Sequence, residues 1–234
     1  MFGNIPPSTI PWLIGSVAFL IFGLRATSNY RKLHNPLSLY FALSGFSACL
    51  AFLCWSVPLI LTSDLNVLLV INIIGDLFLY IMFVIQVVIL HYLALKGRVS
   101  LVAVLIPTVL LAVTGWISHC YGYIVGGVSV VNGNYEYELP LVANVIQSIF
   151  LLVVFMVGVF MVLRIKQQTE TRAKIGLLAI GILYMLSAIG GSLNVLLSGN
   201  SNQSPIIIGT YVIGFILFIL ILLAVRILNP RLNK

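Results

Sequence analysis

Long apolar runs alternate with short polar breaks along the whole chain, and the runs are of membrane-crossing length. A spanning helix needs roughly 20 mainly apolar residues. Seven segments meet that measure: Ser8–Leu24, Pro36–Thr62, Leu65–Leu95, Ser100–His119, Glu138–Leu163, Ala173–Leu197 and Pro205–Ile227. Together they occupy nearly all of the chain, which predicts an all-α integral membrane protein: one seven-helix transmembrane domain over residues 1–234, with little left for a soluble domain.

The polar breaks are not equivalent. All twelve Lys and Arg residues fall at four places: Arg25, Arg31 and Lys32 after the first run, Lys96 and Arg98 after the third, Arg164, Lys166, Arg172 and Lys174 after the fifth, and Arg226, Arg231 and Lys234 after the seventh. Cytoplasmic loops carry the excess of Lys and Arg. The alternation therefore predicts an outside N-terminus, a cytoplasmic C-terminus and a multi-pass protein of the cytoplasmic membrane. Met1–Pro7 has no basic residue and Arg25 follows the apolar run, the reverse of signal-peptide order. The first run is thus expected to be retained as a span.

Composition agrees: 61% of residues are hydrophobic and 7% charged, and mean hydropathy is +1.17, far from an ordinary soluble domain. The formal charge of +7 is spread over loop ends, where lipid headgroups and topology account for it, so no nucleic-acid partner is implied; the bilayer is the partner. Cys49 and Cys54 lie in one span and point roughly 140° apart, while Cys120 is alone near the outer face, so no disulfide framework exists. His34, His91 and His119 sit in different segments without metal-site spacing. No metal and no cofactor is expected.

Two connections carry more than charge. Arg164–Lys174 has a mixed polar sequence and is the candidate cytosolic output surface, through Arg164, Lys166, Arg172 and Lys174; a solvated positive-inside loop has the same composition. Between the fourth and fifth spans, Val128-Ser129-Val130-Val131 and Asn134-Tyr135-Glu136-Tyr137 flank Asn132-Gly133. Asn-Gly tolerates φ > 0 at both turn positions, which makes it a strong hairpin signal. An extracellular β-hairpin across the mouth of the bundle is predicted, as a ligand-facing rim or as a compact loop closure.

Within the spans, Asp76 is the one deep acidic residue, roughly 16 Å from the start of span three at 1.5 Å per residue. An ionisable group there is costly and must face the bundle interior or water, which marks it as a functional candidate. Asn72, Asp76, Tyr80, Gln86 and His91 project within an arc of about 140°, a polar seam along span three. Asn144, Gln147 and Ser148 share a face of span five, and Ser187 and Asn194 lie on span six. Asn72, Asp76, Tyr80, Asn144 and Gln147 are the candidate ligand or switch residues, with Gln86 and His91 as an inner relay. Helix packing alone also uses such groups, since interhelical hydrogen bonds in membranes average about 0.6 kcal/mol.

Absent chemistry narrows the function. The seventh run has no Lys for a retinal Schiff base, and the chain has no phosphate-binding Gly-rich loop, no metal-binding His pair and no Ser/His/Asp set at one depth. No enzyme is predicted. Span three ends His91-Tyr92-Leu93-Ala94-Leu95-Lys96, without the acidic-Arg-Tyr triplet of G-protein-coupled receptors, and Asn229-Pro230 lacks its usual Tyr partner. Arg31-Lys32 and Pro36 before span two, Tyr135-Glu136-Tyr137-Glu138-Leu139 before span five, and Gln167-Gln168 with Arg172 leading into Gly176-Leu177-Leu178-Ala179-Ile180-Gly181 give a pattern that resembles the seven-helix sensor region of bacterial and archaeal histidine kinases and related signalling proteins. The resemblance implies helices that detect a small ligand or membrane condition and pass a change to a cytosolic signalling domain or protein. As the chain ends at Lys234, that output would follow it in a longer protein or be a separate partner; an oligomer is compatible with either.

Two rival readings stand beside the sensor. In a small-solute or proton-coupled transporter or channel, Asp76 and His91 would line the path, although spans one to three and five to seven show no internal repeat of the kind common in transporters. In an assembly subunit of a membrane complex, the polar residues would serve helix contacts alone.

Overall fold

The computed structural model describes residues 9–95, 98–126, 128–131, 134–137 and 139–197. They form six long helices: α1 Thr9–Leu33, α2 Pro36–Leu61, α3 Leu65–Leu90, α4 Leu101–Gly126, α5 Leu141–Leu163 and α6 Thr171–Leu197. All six are long and apolar enough to cross a membrane. Short strands β1 Val128–Val131 and β2 Asn134–Tyr137 lie between α4 and α5 and pair antiparallel, Val128 opposite Tyr137 and Val131 opposite Asn134. The Asn132-Gly133 step and the predicted seventh span, 205–227, lie outside the described residues.

Local signals set the tight connections. His34 takes a left-handed φ of 48°, and the Asn35 side chain accepts from Leu37 N at 3.0 Å. Pro36 then opens α2 at the first turn, where a missing N–H costs nothing. Thr62 Oγ1 accepts from Asp64 N at 3.0 Å, and Asp64 Oδ1 from Asn66 N at 2.9 Å. This capping starts α3 three residues after α2 stops. Such short links make successive helices antiparallel neighbours.

Two helices outrun their predicted spans. α1 continues past Leu24 to Leu33, so that Arg31 and Lys32 sit on its last turn, favourably placed against the helix dipole. α4 continues past His119 to Gly126, which converts the first part of the predicted outer loop, Cys120 to Gly126, into buried and lipid-facing helix. α3 is followed by a π-helical turn, His91–Leu95, and α5 by a 3₁₀ turn, Arg164–Gln167.

α3 is the spine, packed against α2, α4 and α5. Its Phe83 ring stacks on Phe150 of α5 at 5.1 Å with an interplanar angle of 4°. α5 and α6 approach so closely that a Cβ on Gly158 would lie 2.7 Å from the Gly181 carbonyl oxygen; only glycine fits. Among the described helices α4 is the least covered, presenting Ile106, Leu110, Ile117 and Ile124 outward, as expected of a lipid-facing surface. The described residues thus form a bundle of membrane-spanning type.

Candidate functional site

α3 and α4 bring polar groups together in an otherwise apolar interior. Asp76 is 2% exposed. Its Oδ2 accepts from His119 Nδ1 at 2.9 Å and from the Tyr123 hydroxyl at 2.5 Å. His119 and Tyr123 stand four residues apart, one turn of α4, and so offer both donors on one face. Two donors on one oxygen answer the cost of placing a carboxyl group in low dielectric.

Tyr80, one turn along α3 from Asp76, completes the cluster. Its ring meets the His119 ring edge-on at 5.5 Å and the Phe150 ring of α5 at 6.0 Å. It fits because α4 has glycine at 115: a Cβ there would fall 2.6 Å from the Tyr80 hydroxyl. Trp116 Nε1 donates to the Ile73 carbonyl at 3.1 Å, tying the same faces together. The Tyr80 hydroxyl and His119 Nε2 are buried without a hydrogen-bond partner among the described residues, which leaves one donor-acceptor and one ring nitrogen available to a further group. Asn72 is buried one turn before Asp76.

The remaining predicted residues separate into two further places. Gln86 Nε2 donates to Ser44 Oγ of α2 and, at 3.1 Å, to the Tyr184 hydroxyl of α6; Ser44 and Tyr184 are themselves 3.4 Å apart. This group fastens three helices and is fully buried. At the basic end, His91 Nε2 donates to the Val99 carbonyl at 2.8 Å, and Arg164 Nη2 to the Leu93 carbonyl at 2.9 Å. Arg164 therefore caps a carbonyl of the π-helical turn, while Lys166 and Lys174 are exposed; the Arg172 side chain lies outside the described residues.

On α5, Asn144 keeps a buried Oδ1 without a partner among the described residues. Gln147 is on the wall of a separate cavity with Tyr184 and Ser187. The structure thus groups Asp76 and Tyr80 with α4, and sets Gln147 apart from them. His119 and Tyr123 are the partners that hydropathy hides, because the polar run from His119 to Tyr123 reads as the start of a loop. The spacing of Gly115, His119 and Tyr123 is the available signal, since four-residue steps place all three on one helix face. Among the described residues no group of three or more His, Cys, Asp and Glu side chains forms a metal site.

No protein-family model, curated protein or solved structure matches the chain.

Proposed function

We propose that this protein is a seven-helix membrane sensor, with its N-terminus outside and its basic face cytoplasmic, that converts a stimulus in its outer half into a rearrangement of its inner ends. The observation that carries this reading is the buried Asp76–His119–Tyr123 group. A carboxyl group retained in the interior of a membrane bundle is a costly way to join two helices that apolar packing joins without it. Its use is a contact that holds in one helix arrangement and opens in another.

The polar contacts along α3 support transmission. Asp76 reaches α4, Gln86 reaches α2 and α6, and the turn after α3 is held by Arg164. The segment between α4 and α5 with strands β1 and β2 forms the outer rim in this reading, and Arg164 with Lys166, Arg172 and Lys174 faces a cytosolic signalling domain or protein.

The test is a distance measurement between spin labels at Arg98 and Lys166, on a background lacking Cys49, Cys54 and Cys120, in lipid nanodiscs. Asp76→Asn should shift or broaden the inner-end distance distribution relative to the parent. An unchanged distribution reduces Asp76 to a packing residue and removes the sensor mechanism. Proton or solute flux through the reconstituted parent protein would instead establish the transporter reading, because a pure sensor conducts neither.

A further inference from the structure

The Asp76 group takes its hydrogen bonds from α4. A second place for a molecule is lined by none of Asp76, His119 and Tyr123. A cavity of about 80 Å³ lies where α1, α2, α3, α5 and α6 converge. Its wall is aromatic: Trp12 of α1 packs against Phe52 and Trp55 of α2 at 5.3 Å each, and Phe83 of α3 also lines it. Gln147 of α5 and Ser187 of α6 add a polar patch, and neither has a side-chain hydrogen bond to another of the described residues. No charged side chain lines it among the described residues.

Binding pockets for small molecules combine an apolar, aromatic wall with a few placed polar groups, and this cavity has that composition. The uncharged described wall suits an uncharged ligand, since an ionic one would find no charge there to answer its desolvation. Its size is roughly half that of the ~150 Å³ apolar cavity that admits benzene, which limits the occupant to a handful of heavy atoms. We propose that the cavity binds a small uncharged amphiphile: a short apolar body against the Trp12 and Trp55 rings, with one hydroxyl or carbonyl hydrogen-bonded to Gln147 or Ser187.

The same site has a route to the rest of the bundle. Tyr184 is part of the wall, and its hydroxyl belongs to the Ser44–Gln86–Tyr184 group. An occupant that displaces Tyr184 acts on the contact joining α2, α3 and α6. This consequence rests on the sensor reading; binding itself does not.

Two of the three tryptophans of the chain, Trp12 and Trp55, are in the wall, and the third, Trp116, is on α4. Titration with 2-bromoethanol, whose bromine quenches indole on contact, therefore reads occupancy directly. Protein with Trp116→Phe in nanodiscs should show saturable quenching, and protein with Trp12→Phe and Trp55→Phe should show only the linear collisional quenching of a lipid-exposed control. Ser187→Met, which fills the cavity, should abolish saturation. Gln147→Leu, which keeps the volume, should weaken 2-bromoethanol by about fivefold, the value of one net hydrogen bond, and leave bromoethane unaffected. Equal, non-saturating quenching in all variants overturns the site, as does saturation that survives Ser187→Met in folded protein. Saturable binding without any change between labels at Arg98 and Lys166 keeps the site and sinks the sensor reading, so the two fail separately.

Discussion

The strength of the α3–α4 fastening can be put to a double-mutant cycle on Asp76 and His119. Oδ2 of Asp76 takes two donors, at 2.9 and 2.5 Å, and all three groups are buried. Hydrogen bonds between membrane helices average about 0.6 kcal/mol and reach about 1.7, whereas removing one partner of a buried ionic pair costs about 3–5 kcal/mol because the other is orphaned. Asp76→Asn keeps an acceptor oxygen whose two lone pairs can still take both donors. It puts an amide NH₂ in a buried position where the other carboxyl oxygen was, so a loss of about 1–2 kcal/mol is expected. His119→Ala adds the loss of its ring contacts with Tyr80 and Tyr123, which the cycle subtracts. The coupling between the two sites should be about 1–2 kcal/mol, above the membrane average because the shared oxygen and both donors have no water to turn to. Unfolding in bicelles by added sodium dodecyl sulfate, followed through Trp116 fluorescence, measures it, since Trp116 itself bridges α4 to Ile73. Losses that add to within about 0.5 kcal/mol would refute the view that Asp76 and His119 act as a unit.

Other substitutions test the packing from independent directions. Gly115→Ala places a Cβ 2.6 Å from the Tyr80 hydroxyl and should destabilise by about 1–3 kcal/mol in the same unfolding assay, with part of the loss recovered when Tyr80→Phe removes that oxygen. Gly158→Ala meets the Gly181 carbonyl at 2.7 Å as well as the Met185 side chain at 2.8 Å, so it should lower the thermal midpoint, and Met185→Ala on α6 should recover only the side-chain part of that loss. Gln86→Leu forfeits two interhelical bonds of about 0.6 kcal/mol each but also removes a buried Oε1 that has no partner among the described residues; the net change should stay under about 1 kcal/mol, with Ser44 and Tyr184 left to bond each other. Arg164→Gln should speed amide exchange around Leu93–Leu95 and leave exchange in the middle of α3 unaltered, which hydrogen exchange with mass spectrometry resolves.

Legibility in the sequence followed the physics of each signal. α2 and α3 start where the apolar runs start, at Pro36 and Leu65, because the polar residues that break the runs, Asn35 and Asp64, are also the ones whose side chains cap the helices. The ends of α1 and α4 are missed because hydropathy marks where the apolar layer ends, whereas a helix goes on as long as its backbone bonds do. Asp76 is legible from its cost alone. Its partners are not, since pairing Asp76 with His119 requires knowing the register of α4 against α3, which is a tertiary property. The tie from Arg164 to the Leu93 carbonyl joins the ends of two helices far apart in sequence, which nothing in the residue pattern announces, and a basic residue after a span reads first as a topology signal.

The polar contacts that tie α4 to α3 and to the turn after it restrict how those helices can move. Val99 sits just before α4 and is held by His91, while His119 and Tyr123 near the other end of α4 are held by Asp76. α4 is thus fastened at both ends and, between them, is the least covered of the described helices. α3 itself is anchored to α2 and α6 through Gln86, so it is the fixed side of the pair. If the Asp76 end opens, α4 pivots about the His91–Val99 contact, and the torque falls on the π-helical turn His91–Leu95 whose carbonyl Arg164 holds. The last carbonyls of a helix have no partner in its own ladder, so the Leu93 carbonyl, two residues from the end of the π turn, is open to Arg164 of the 3₁₀ turn after α5. That bond places the π turn between the pivot of α4 and the basic turn after α5.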